Sequence, residues 1–388
     1  MTERGGQMHF GLRCVLGAVV LLAACAPAEE WAGTIEDRDG VVYVDNPAEG
    51  LWSARQPPPL AFELEQEFGA ELEPPEAIIG QVRSYAVDAA GNVYVLDRQP
   101  LRLLSFAPDG GVRWTAGREG EGPGELNNPR GIAVAGSSLY LVNRGGTAVD
   151  EWDSDGNFRA ARSLVGLEIG LVSPAGFLPP DKLVVSRVMM GATGVTVSAV
   201  ELAEPPALAA RFEHNALPER PLPEHFGMEV DVAVRGDRIV LGSTGRYEFR
   251  VYDGAGNLER VVRRDVDYLV GAGISTTESG SMIAGYGGLD APVRLPSGHW
   301  IARVVWPTNV DDPNVATAMM MSDDFRPVFN TSYDLFDPEG RFLYSLVSED
   351  TSEGEIGSRL QLGGDGALYA QLSDPFPQVR RYRVAIGE

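Results

Sequence analysis

Tyr85-Ala86-Val87-Asp88, Gly91-Asn92, Val93-Tyr94-Val95, Leu103-Leu104-Ser105-Phe106, Pro108-Asp109-Gly110 and Val112-Arg113-Trp114 follow one another between positions 85 and 114. Each apolar piece is short. Each is followed by the Asp, Gly or Pro that a tight turn requires. The stretch reads as four consecutive strands. A second copy holds Gly131-Ile132-Ala133-Val134, Leu139-Tyr140-Leu141, Glu151-Trp152-Asp153, Asp155-Gly156 and Phe158. The apolar triplet returns as Leu183-Val184-Val185, Ile239-Val240-Leu241, Trp300-Ile301-Ala302 and Leu368-Tyr369-Ala370. The aromatic-plus-turn half returns as Tyr252-Asp253-Gly254-Ala255-Gly256 and Phe336-Asp337-Pro338-Glu339-Gly340, while the third copy, Val197 to Glu204, lacks both the aromatic and the turn glycine.

Six copies of a four-strand unit of about 40–60 residues describe an all-β, six-bladed β-propeller. The triplets are apolar on both faces, whereas a strand with one wet face would alternate. A blade sandwiched between two others buries both. No stretch keeps a helical apolar period for long between glycines. The unit ending Val379-Arg380-Arg381-Tyr382-Arg383-Val384 lacks a fourth strand, and Asp39-Gly40-Val41-Val42-Tyr43-Val44 offers a spare one. The expectation is that an N-terminal strand joins the last blade and closes the ring, with Gly40 to Val44 in that place. The segment Leu51 to Ile79, which contains Phe62-Glu63-Leu64-Glu65-Gln66-Glu67-Phe68, is expected to lie over one face of the ring.

The motif Gly120-Glu121-Gly122-Pro123-Gly124-Glu125-Leu126 followed by Pro129, with Val95-Leu96-Asp97-Arg98 before it, resembles an NHL-type repeat. The chain beyond its first residues resembles the six-bladed propeller lipoproteins, related in architecture to TolB-like propellers. Those first residues read as an address. Arg4 and Arg13 flank the start, and an apolar run from Val15 to Ala24 is too short to span a bilayer. Leu22-Ala23-Ala24-Cys25 resembles the lipobox of bacterial lipoproteins. The resemblance implies cleavage before Cys25 and lipidation of its thiol; an ordinary signal peptide with an incidental cysteine is the alternative. The division is 1–24 signal peptide, 25–33 lipidated cysteine and tether, 34–388 propeller. Ala26 in place of Asp favours, by the same resemblance, the outer membrane of the cell envelope, on its periplasmic or surface face. With only Cys14 and Cys25 in the chain, the mature domain has no disulfide, cysteine nucleophile or thiolate metal site.

The net charge is −23 and the pI about 4.6, which argues against nucleic acid as a partner. The loop Gly117-Arg118-Glu119-Gly120-Glu121-Gly122 lacks the Lys-Ser/Thr of a phosphate loop. Asp153-Ser154-Asp155-Gly156 resembles the start of a calcium loop, but Leu164 stands where a glutamate is needed. His214, His225 and His299 are not placed as a metal set, and neither Gly-x-Ser-x-Gly nor His-Glu-x-x-His occurs. No cofactor is called for. Met189, Met190, Met319, Met320 and Met321 follow triplets in long loops at one mouth of the ring. They read as filler under those loops, as an adaptable contact surface, or as thioethers for copper. Arg98, Arg144, Arg187 and Arg303 follow their triplets in the same loops. They read as an anion site or as partners of nearby carboxylates such as Asp97 or Glu125.

Two functions stay open. One is a membrane-anchored, non-catalytic propeller that binds a protein or an anionic glycan at the Arg98, Arg144, Arg187, Arg303, Met319, Met320, Met321 face. The other is a propeller hydrolase or lyase acting at the channel mouth.

Overall fold

Why both faces of each triplet are apolar is visible in the packing. In blade one, Val93 and Val95 enter the core shared with blade six, while Tyr94 and Leu96 enter the core shared with blade two. Every pair of neighbouring blades shares such a cluster, so the core is itself a ring. The chain folds as a six-bladed β-propeller. The computed structural model describes residues 30–69, 74–170, 172–188, 194–215, 231–243, 247–266, 273–277, 280–284, 288–307, 329–348, 355–373 and 375–387. The chain divides into two compact units, 1–30 and 31–388, and the propeller is the second.

Blades one to three are antiparallel four-stranded sheets in chain order, starting at Val82–Val87, Gly131–Ala135 and Ser173–Leu178. Blade four runs from Asp231–Arg235 to Leu258–Arg264. The inner strand of blade five is broken into Gly288–Leu289 and Val293–Arg294, both paired with Trp300–Pro307. Blade six contributes Ser358–Leu362, Leu368–Leu372 and Gln378–Ile386.

An N-terminal strand does complete blade six, but it is Leu60–Phe68, antiparallel to Gln378–Ile386. Gly40 to Val44 is not the closing strand. Val41–Asn46 instead lies parallel to Leu258–Arg264 as a fifth strand on blade four, and Thr34–Arg38 adds a sixth. The Asp39-Gly40 turn joins these two, with both residues at positive φ. Two physical reasons decide the exchange. Glu63, Glu65 and Glu67 face Arg383, Arg381 and Arg380, giving a ladder of ion pairs across the seam. Phe62 and Phe68 alternate with those acids and are buried. Asn46, for its part, is buried where blade four meets blade five. Its amide donates to the carbonyls of Arg263 and Gly340, and it accepts from the Phe342 N–H. Leu51 and Trp52 then bond the backbone of Phe342 and Leu343. The segment Leu51 to Ile79, expected over one face, instead follows the outer edges of blades five and six, while Val41–Asn46 before it covers blade four.

Candidate functional site

The axis of the ring is a channel of about 930 Å³, lined by one strand from each blade at Ser84, Ala133, Gly176, Val234, Arg294 and Leu360. Alternation of strand direction gives the channel two unlike mouths. One carries tight turns. In these, Asp88, Asp153, Asp253 and Asp337 accept from the backbone N–H groups two and four residues ahead. The N–H of Asn157 leads the set that holds the Asp153 carboxyl down at about 2. This carboxylate is a turn cap, which accounts for the calcium-like spelling of Asp153 to Gly156. The other mouth carries the links between blades and the loops that follow the second strands.

Polar groups in the channel bind blade to blade. Arg235 of blade four donates to the carbonyls of Ala291 and Pro292 in blade five, at 3.2 and 3.0 Å, and of Leu360 in blade six at 3.0 Å. The Tyr85 hydroxyl lies 2.9 Å from the Tyr369 carbonyl and also contacts the Arg359 carbonyl. At the break in the inner strand of blade five, Asp290 sits 3.4 Å from Arg303, which also reaches Glu355 at 3.2 Å. Burial pushes Asp290 up to about 6 against the pull of Arg303, and the nearby Asp231 carboxylate adds to the rise. Asp231 itself accepts the Ala291 N–H at 2.8 Å. Among the described residues, no group of three or more His, Cys, Asp or Glu could hold a metal ion.

No family model matches the chain, and no curated protein matches it. Solved structures do. The chain is similar to a member of the DUF4221 family from Bacteroides vulgatus, at 9% identity and a TM-score of 0.57, over 84% of this chain and 99% of that one. It is also similar to a candidate exported protein from Bacteroides fragilis, at 10% identity and a TM-score of 0.50, over 89% of this chain and 100% of that one. At such identities the likeness concerns the fold alone.

Of the four arginines singled out in the sequence, Arg144 alone follows its second strand; Arg98, Arg187 and Arg303 lie within theirs and not in the loops expected for them, and their surroundings differ. Arg144 lies 3.7 Å from the buried Asp150, and Arg303 is paired as above. Arg187 lies against Gly170, where a Cβ would come within 2.7 Å of its guanidinium carbon. Arg98 is exposed. Neither Arg98 nor Arg187 has an acid within ion-pair distance among the described residues. The carboxylates named as their partners are engaged elsewhere. Asp97 accepts the N–H groups of Gln81 and Gln99 and pairs with Arg102, and Glu125 pairs with Arg118. The structure brings Arg98 together instead with Arg83, Arg130 and Arg359, which the sequence reading missed. Burial lowers the pKa of Arg83, and the charges of those three arginines lower it further. A signal did exist: each missed arginine stands at the start of an inner strand, in Val82-Arg83-Ser84, Pro129-Arg130-Gly131 and Ser358-Arg359-Leu360. Met189, Met190, Met319, Met320, Met321 and Cys25 lie outside the described residues.

Of the histidines, His225 lies outside the described residues and His299 bonds Ser297 at the rim. His214 is buried, with Nδ1 2.9 Å from the Tyr252 hydroxyl. Burial, and then the charge of Arg250, lowers its pKa to about 4. An unfolded histidine titrates near 6.5, so the unfolded chain takes the proton first. The contribution of the neutral ring is therefore full above about pH 6.5 and is lost as pH falls toward 4. Urea unfolding at neutral and mildly acid pH should show a smaller acid loss in His214→Phe than in the wild type. An equal loss would remove His214 from the account.

Proposed function

We propose that the protein is a lipid-anchored, non-catalytic propeller of the cell envelope that receives a ligand or partner at its loop-rich mouth. The observation that carries this reading is the asymmetry of the ring. Tight, self-capped turns occupy one mouth and offer few free groups, while the blade links and the exposed Arg98 gather at the other. Loops on a rigid scaffold are where binding groups are usually carried. A photo-crosslinking residue at Gln99 or Asn128, on the loop-rich mouth, is expected to capture an envelope component. The same residue at Ala90 or Ala255, on the turn mouth, is expected to capture little. Equal labelling from both mouths would refute the reading.

The anchor rests on the lipobox-like ending at Cys25. Two or three acyl chains at ~0.8 kcal/mol per buried CH₂ hold far more firmly than one myristoyl chain. Cys25→Ser should leave the protein unprocessed or release it from membranes. Radiolabelled palmitate that labels wild type and variant alike would overturn the assignment.

A second reading, hydrolase or lyase chemistry, is favoured by one observation only. Asp290 neighbours Asp231, which lines the channel, and Asp290 is shifted toward neutral pH as a general acid would be. Both already serve the backbone or an arginine of the ring, so binding is preferred.

A further inference from the structure

We infer that Arg83, Arg98, Arg130 and Arg359 form an oxyanion site at the rim of the channel, built for an acidic small molecule. Its carboxylate, phosphate or sulfate head would rest among the guanidinium groups, and its body would enter the channel. This deepens the binding reading above and rests on it.

The first ground is charge without compensation. The chain carries 55 acids against 32 basic residues, yet none of these four arginines has an acid within ion-pair distance among the described residues. Two guanidiniums are instead spent on backbone carbonyls: Arg130 donates to Gly145 and Arg359 to Arg83, both at 3.0 Å. Burial lowers the pKa of Arg83, and the like charges of Arg98, Arg130 and Arg359 lower it further. Guanidinium forks match the oxygens of carboxylate, phosphate and sulfate groups.

The second ground is backbone geometry. The inner strand of blade one slips register between Val82 and Ser84, which leaves Arg83 as the extra residue. The inner strand of blade six slips between Ser358 and Gln361, across Arg359. Bulges re-aim side chains, and they gather beside binding sites. Arg359 also has a φ of 52°, a left-handed conformation that branched and long side chains rarely adopt. The distortion is held in place by its neighbours. Gln361 donates to the Tyr85 carbonyl at 2.9 Å, Gln371 to the Val82 carbonyl at 3.2 Å, and Tyr85 contacts the Arg359 carbonyl.

The third ground is the space beside them. Arg359 lines the channel itself, next to Ser84, Ile132 and Gln361. The volume of about 930 Å³ falls within the range of small-molecule sites and gives a body both apolar wall and polar contacts.

The test titrates the full chain with inorganic sulfate, inorganic phosphate and acetate, each against chloride at constant ionic strength, and follows Tm and heat of binding. At least one oxyanion should raise Tm along a saturating curve, and the one that does so names the head group. Arg98→Gln is the first variant, because its exposed side chain makes no hydrogen bond or ion pair among the described residues. It should weaken affinity for that oxyanion roughly ten- to a hundredfold, the value of one charged hydrogen bond. Its own Tm without added anion should not fall, since a repulsion is removed. Arg130→Gln should repeat the loss of affinity. Sulfate also stabilises proteins in general, but that effect does not saturate and would persist in the variants. A purely general rise, no rise at all, or a saturating rise that both variants retain would overturn the site. Crosslinking at the loop-rich mouth is independent of these titrations, so the wider reading can stand or fall without this one.

Discussion

Asp334→Ala is expected to cost about 3–5 kcal/mol, the range for a buried ion pair that loses one partner. Asp334 is fully buried in blade five. Its carboxylate accepts from Tyr247 at 2.6 Å, Ser332 at 2.9 Å and Ser345 at 2.6 Å, and it pairs with Arg264 at 2.6 Å. Arg264 comes from the fourth strand of blade four, lies over the ring of Phe342 at 3.7 Å and donates to the carbonyl of Ala48. One side chain thus ties blade four, blade five and the N-terminal wrap. Alanine would strand the guanidinium in the core and leave three hydroxyls short of an acceptor. Denaturant unfolding should show a large fall in midpoint with little change in slope. Asp334→Asn keeps the shape and should lose less. The double variant Asp334→Leu, Arg264→Met removes both charges and should recover part of the loss. A loss below about 1 kcal/mol for Asp334→Ala would mean that the network is not what joins these blades.

The blades were legible because their signals are local. A triplet such as Val93-Tyr94-Val95 states its burial on both faces, and an Asp four residues before a backbone donor states its turn. Ring closure is not local. Val41–Asn46 and Leu60–Phe68 both read as strands, and only one can pair with a partner more than 300 residues away. The deciding signal lay in a comparison: three glutamates at alternate positions against the arginines of Arg380-Arg381-Tyr382-Arg383. The parallel pairing of Val41–Asn46 with blade four had no such signal, since its specificity comes from Asn46 bridging two blades. The candidate site divides in the same way. Arg98 was found because it follows a triplet. Arg83 and Arg359 depend on bulges, and a slipped register leaves no mark in composition. Arg130 is placed by a carbonyl of the next loop.

Phe62→Ala and Phe68→Ala are each expected to cost about 3–5 kcal/mol, and together to unfold the ring, whose total stability should lie near 5–15 kcal/mol. The closing strand bridges two of the six core clusters. Phe62 packs edge-on to Tyr333 at 5.2 Å, between blades five and six. Phe68 meets Phe106 at 6.1 Å, between blades six and one. Each truncation leaves a cavity bounded by two rigid sheets, and neither sheet can collapse into it without shifting its blade. Tyr43→Ala supplies the contrast. Tyr43 is half-buried on the added strand of blade four, where Arg38 and Arg263 cover its ring at 4.6 and 5.3 Å. That loss should be roughly 1 kcal/mol, the value of exposed cation–π contacts. Equilibrium unfolding of the three single variants, with size-exclusion chromatography to detect opened rings, separates the two strands. If Tyr43→Ala opened the ring while Phe62→Ala left it closed, the closing strand would have to be Val41–Asn46 after all, and the charge ladder on Leu60–Phe68 would be surface ornament.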